Sequence, residues 1–151
     1  MSFIDEVKQW GLYTNSIGWN FNGRASRREY WMSVLFFFVL SFVANIVLGI
    51  VFNVLGGVLA MLKLKAALGL LTWANTILST IIFIYITSRT LPLAVRRLHD
   101  IGKSGWTYLW CTLGSFICGI GAIVFLIYAL KVGDAGDNQY GPNPATGNAS
   151  Y

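Results

Sequence analysis

Charge is what this chain has least of. Of its 151 residues only 11% are Asp, Glu, Lys or Arg, and six of these are acidic. A water-soluble domain carries about a quarter, so the deficit excludes a soluble enzyme. Hydrophobic residues make up 56% of the chain, which excludes a disordered one. Cysteine is nearly absent too, and two residues cannot staple a disulfide scaffold. Cys111 and Cys118 lie seven apart in one apolar run, about 10 Å along a helix. That exceeds disulfide reach, and no metal-ligand spacing surrounds them, so both read as packing residues. With one histidine and no Cys/His set, no metal and no cofactor are expected.

What fills the chain instead is long charge-free runs: Trp31–Leu62, Ala66–Ser88 and Ser104–Leu130, of 32, 23 and 27 residues. A bilayer span needs about 20 apolar residues, so each run qualifies. The expected fold is an all-α membrane protein of about three transmembrane helices, near 31–55, 73–95 and 106–130, with an N-terminal interfacial helix; four crossings or a re-entrant last segment stay open. Residues 1–22 form the interfacial segment, 23–130 the transmembrane domain and 131–151 a polar tail rich in Gly, Asn, Asp and Pro. In the first segment Phe3, Ile4, Val7, Trp10 and Tyr13 approximate a helical stripe opposite Asp5, Glu6, Lys8 and Gln9, which suits a helix lying on a membrane surface. Asp5 and Glu6 stand where a signal peptide would carry basic residues, so the first span is expected to act as an uncleaved signal-anchor.

Around the first span, Ser26 and Glu29 have the spacing of a capping box, which starts a helix near Arg27. Tyr30 and Trp31 then fall at headgroup level, where amphipathic rings are favoured. Gly56 and Gly57 suggest that the first membrane helix stops near Leu55, with 56–72 an interfacial connection or extra turns on either helix. Arg89 lies about 9 Å inside the end of the second span by rise per residue, from where its guanidinium can snorkel. Pro92 removes one helical hydrogen bond and predicts a kink. Asn45, the deepest strongly polar residue of span one, reads as interhelical glue. No Asp, Glu or Lys lies mid-span, which argues against a proton-coupled pump.

Lys8, Arg24, Arg27, Arg28, Arg96, Arg97 and Lys103 flank one side of a three-span arrangement, against Lys63, Lys65 and Lys131 on the other. The positive-inside bias predicts a cytoplasmic N-terminus and, with three crossings, an external tail. The net charge of +5 is thus topological; no basic run exceeds two residues, and no nucleic-acid partner is expected.

Three polar clusters punctuate the runs: F-x-G-R-x-S-R-R-E-Y-W over Phe21–Trp31, R-R-L-H-D-x-G-K-S-G-W over Arg96–Trp106, and N-x-Y-G-P-x-P over Asn138–Pro144. Together they resemble the bacterial inner-membrane family called domain of unknown function 805, over roughly residues 18–144. The resemblance implies a small multi-pass protein of the bacterial inner (plasma) membrane without an established activity. Family members carrying a proline midway along the last apolar segment differ from this chain, which has Gly119 and Gly121 there; whether that segment crosses once or folds back stays open.

Arg24, Arg27, Arg28, Arg96 and Arg97 crowd one face with only Glu29 and Asp100 as local counter-charges, so an anion should be drawn in. Anionic lipid headgroups are the expected partner, with Arg97 and Arg28 as leading contacts and His99 as an auxiliary donor. A homo-oligomer or another membrane protein is the further partner open to it. Ser26, Glu29, Trp31, Asn45, Pro92, Asp100, Gly105, Trp106, Asn138, Tyr140, Gly141 and Pro142 are expected to be structural. A non-enzymatic lipid- or partner-binding membrane protein is the first reading, and an oligomeric small-solute transporter or channel subunit the alternative. An enzyme would rest on His99 and Asp100 alone, without a nucleophile or metal.

Overall fold

The computed structural model describes residues 2–144; residues 145–151 of the polar tail and the side chain of Cys118 lie outside the described residues. Five helices follow in order: α1 Phe3–Ile17, α2 Arg27–Met61, α3 Lys65–Asp100, α4 Trp106–Cys118 and α5 Ile120–Leu130. The chain divides into two compact units, one of residues 37–87 and one of residues 2–36 with 88–144 among those described.

The 37–87 unit is a helical hairpin. At about 1.5 Å per residue, α2 and α3 each run to about 50 Å, and both are long and apolar enough to cross a membrane. Gly56 and Gly57 do not end α2, because a glycine costs a helix only about 1 kcal/mol while open backbone groups among hydrocarbon cost more. The interfacial connection expected over 56–72 shrinks to residues 62–64. It is a Schellman turn, in which Leu64 N–H donates to Leu59 O and Lys63 N–H to Ala60 O, both at 3.0 Å. Lys63 takes the left-handed position usually held by glycine, with φ +56°. Asn45 is exposed and spends one amide N–H inside its own helix, on Ser41 O at 2.9 Å.

In the other unit, α1 starts with a capping box between Ser2 and Asp5. The side it buries is polar and small: Glu6, Gly11 and Thr14. Thr14 Oγ1 and Ser33 Oγ share a hydrogen bond of 2.8 Å, Ser33 Oγ donates to Trp10 O at 3.0 Å, and Phe36 occupies the space a side chain on Gly11 would need. Docking by this face leaves Phe3, Ile4 and Leu12 exposed, an apolar side suited to a membrane surface. The core joins Ala25, Tyr30, Leu93, Ala94 and Ala129 to Trp31, Val34, Tyr108 and Phe125. Phe125 meets the Tyr108 ring edge-to-face at 5.3 Å and the Tyr30 ring at 6.2 Å, an arrangement worth about 1 kcal/mol per pair beyond burial. α3 runs through the buried Pro92 without ending.

A single span over 106–130 is not what forms. Gly119, left-handed at φ +71°, ends α4 and begins α5. The two helices reach about 20 and 17 Å by rise per residue, short of the roughly 30 Å hydrocarbon core. They fold on one another because Gly121 carries no side chain: a Cβ there would overlap the Cys111 carbonyl. Gly114 faces Gly121 across the same contact, less tightly, since a Cβ on Gly114 would meet Gly121 Cα at 3.5 Å; such small residues let helix backbones approach. Cys111 is a buried free thiol in this contact. The reversal returns residues 131–144 to the N-terminal motif, so a tail on the opposite side of the membrane from that motif is ruled out: Arg24 Nη1 donates to Gly136 O at 2.7 Å.

Candidate functional site

The three polar clusters converge on the C-terminal turn of α3. α3 ends in a second Schellman turn, with Gly102 N–H donating to His99 O and Lys103 N–H to Leu98 O. Here the left-handed residue is Gly102, φ +69°. The turn holds Arg96, Arg97, His99 and Asp100 buried together.

Asp100 is the centre. Its Oδ1 accepts from Arg24 Nε at 3.0 Å and its Oδ2 from Arg97 Nη1. Arg97, with no exposed surface, also donates to Ala129 O at 3.1 Å, to Ala25 O at 3.4 Å and to Lys131 O. Arg24 spends its other nitrogens on Gly136 O and Asp134 O, each at 2.7 Å. Arg96 Nη2 donates to Glu29 Oε1 at 2.8 Å, and Ala25 N–H bonds Arg96 O at 3.0 Å. Asp134 N–H closes on Asp100 O at 2.8 Å. Gly133 is bare because the Asp100 carboxylate fills the space a Cβ would take.

The expected capping box is only half formed. Glu29 N–H donates to Ser26 Oγ at 3.1 Å, but the Glu29 carboxylate is drawn to Arg96. Burial pushes that carboxyl above its ordinary range, against the pull of Arg96. A buried pair of this kind offsets desolvation more than it adds stability.

His99 is a packing element. Its Nδ1 lies 3.2 Å from Gly23 O, and its ring stacks parallel on Tyr140 at 3.9 Å. Burial lowers its pKa from the ordinary 6.5, so it stays neutral at pH 7. Asn138 seals the stack: its Nδ2 donates to His99 O and Asp134 Oδ2, both at 3.0 Å, while its Oδ1 accepts from Tyr140 N–H. Gly141, φ +130°, exchanges backbone hydrogen bonds with Asn138 and allows the return. Gly105 is needed where Val95 leaves no room for a Cβ, 2.8 Å away. Trp106 is exposed and Trp31 partly buried; Pro142 borders a small cavity beside Arg24, Glu29 and Arg96.

The crowd of cations is therefore mostly neutralised from within. Arg97 is no contact for an external anion, because it has no exposed surface, and Arg24 and Arg96 are likewise buried and paired. Arg28 pairs with Glu6, a partner the sequence reading missed, through Nη2 to Oε2 at 2.7 Å. Arg27 is different: exposed, and without a hydrogen bond or ion pair among the described residues. It borders, with Ser26, Arg28, Asp100, Asp134 and Asn143, a cavity of about 490 Å³. Burial lowers the pKa of Arg97, and the neighbouring Arg27 charge adds a smaller push the same way. No group of three or more His, Cys, Asp or Glu among the described residues can hold a metal.

Two membrane-length helices, a folded-back helical pair and an arginine-rich knot joining three separated motifs define a small membrane protein. The chain belongs to the DUF805 family of proteins of unknown function, whose model matches residues 18–142. It is 34% identical to the Inner membrane protein YhaI of Escherichia coli (strain K12) over 145 residues, 92% of this chain and 98% of that one. The Inner membrane protein YhaH of the same strain is 33% identical over 124 residues, 82% of this chain and 86% of its own. No solved structure matches.

Proposed function

We propose that this chain is a multi-pass, non-enzymatic protein of the bacterial inner membrane whose cytoplasmic face holds the phosphate of a membrane lipid at Arg27, with Arg28 beside it. One observation carries the reading. Within the arginine-rich motif, Arg27 has no hydrogen bond or ion pair among the described residues, and it borders a cavity large enough for a headgroup. An arginine fork matches phosphate oxygens, and the start of α2 adds favourable backbone N–H groups. The knot around Asp100 serves as the frame that fixes α2, α3 and the tail about this cavity.

Orientation follows from charge. With residues 131–144 beside the N-terminal motif, Lys8, Arg24, Arg27, Arg28, Arg96, Arg97, Lys103 and Lys131 stand against Lys63 and Lys65, and the positive-inside bias supports a cytoplasmic location for that motif and for residues 131–144. A reporter active only in the cytoplasm, fused after Tyr151, should give a strong signal; an inactive fusion refutes the orientation. Arg27→Gln should weaken phospholipid retention in detergent-purified protein about fivefold, the worth of one exposed charge pair. Retention equal to the parent protein would overturn the phosphate reading.

A further inference from the structure

Arg27 is not the only unpaired charge at its cavity. Asp134, brought there by the tail, is exposed and makes no ion pair among the described residues; its carboxylate accepts only from the Asn138 amide, at 3.0 Å. Arg27 and Asp134 border the same 490 Å³ space without pairing with each other. The other two charged groups there are spent: Arg28 on Glu6, and Asp100 on Arg24 and Arg97.

A cavity with one cation and one carboxylate that form no ion pair among the described residues suits neither a simple anion, which the carboxylate repels, nor a simple cation. It suits a ligand carrying both signs a few bonds apart. We infer that the cavity binds the phosphoethanolamine group of a zwitterionic phospholipid, its phosphate on Arg27 and its primary ammonium on Asp134. The ammonium offers three N–H donors, and charge-assisted hydrogen bonds to a carboxylate are among the stronger ones. Ser26 and Asn143 also border the cavity and add neutral polar residues to its lining. The inference rests on the phosphate reading above and sharpens it from any phosphate-bearing lipid to one headgroup class.

Position supports a lipid-borne group. Arg27 opens α2, four residues before the charge-free run begins at Trp31, so the cavity lies where the chain leaves the apolar segment and headgroups are found.

The full-length chain, reconstituted in vesicles of equal phosphatidylethanolamine and phosphatidylglycerol, is extracted in mild detergent and its retained lipid quantified. The expected result is ethanolamine lipid enriched over the vesicle ratio. Asp134→Asn, which keeps an oxygen for Asn138, should lower that enrichment about fivefold without lowering total retention, and Asp134→Glu should preserve it. Arg27→Gln should lower retention of both lipids. If Asp134→Asn leaves the ratio unchanged while Arg27→Gln still lowers retention, the headgroup assignment is overturned and the phosphate reading stands. If Arg27→Gln changes nothing, both are overturned. A measurement without any variant replaces ethanolamine lipid by phosphatidylcholine, whose methylated ammonium has no N–H to donate; equal retention of the two refutes the inference. Binding of water-soluble O-phosphoethanolamine by delipidated protein, with no enrichment of the lipid, overturns the lipid-borne source.

Discussion

The two compact units differ in how far their polar side chains reach, although both contain hydroxyls bonded within one helix, as at Thr112 and Ser115. In the hairpin of residues 37–87, Asn45, Asn53, Thr72, Thr76 and Thr80 each donate to the carbonyl four residues earlier in their own helix. In the other unit, Arg24 reaches Gly136 and Asp100, Arg96 reaches Glu29, and Arg97 reaches Ala25 and Ala129. A side chain satisfied inside its own helix specifies nothing beyond that helix, whereas a buried guanidinium that needs several distant acceptors demands one arrangement of them. The hairpin therefore owes its form to length and apolarity. The arginine knot decides where its three motifs meet.

That contrast is most exposed to mutation at Arg97. Arg97→Gln leaves Asp100 with a single arginine and strips donors from two buried carbonyls, those of Ala25 and Ala129, and from the Lys131 carbonyl, a loss of about 3–5 kcal/mol. Thr76→Val in the hairpin should cost within about 0.5 kcal/mol, because it removes one local bond. Thermal unfolding in detergent compares the two; equal melting shifts would break the comparison.

The Schellman turns offer a smaller, paired test. Gly102→Ala puts a Cβ at φ +69°, 3.1 Å from Asp134 Oδ2, and should destabilise by about 1–2 kcal/mol. Lys63→Gly relieves a left-handed lysine and should stabilise by about 1 kcal/mol. The same sign for both would show that the turns are not equivalent.

The smallest effect is set by pH. His99 is held below its ordinary 6.5 by burial, so the unfolded chain takes up its proton first as pH falls. Its contribution is complete above pH 6.5 and is lost as acidification proceeds below that value towards the lowered folded pKa. Melting temperature should decline over this window, and His99→Asn should flatten the decline. A slope unaltered by that substitution would assign it to carboxylates elsewhere.

Much of this was legible in the chain. Charge-free runs dictate membrane helices because unpaired backbone among hydrocarbon is prohibitive, and Ser26 announced the start of α2 through its hydroxyl. The exposed side of α1 was legible only in part: of the apolar stripe, Phe3 and Ile4 are exposed while Val7, Trp10 and Tyr13 are half-buried, and Glu6, one of six acidic residues in the chain, turns inward to Arg28. The three motifs could be recognised separately, but nothing local in Arg24 points to Gly136, 112 residues away.

Composition and periodicity determined by themselves that the chain enters a membrane and where its polar clusters begin, since hydrocarbon solubility and helix capping act over a few turns. Only the tertiary structure decided that the last apolar segment folds back at Gly119. The outcome depends on whether a Cβ-free Gly121 meets the Cys111 carbonyl, a contact between helices that no single segment encodes. It likewise decided which arginine is left over. Pairing is a competition among all carboxylates and carbonyls brought within hydrogen-bond reach, and Arg27 is the one for which the described fold supplies none.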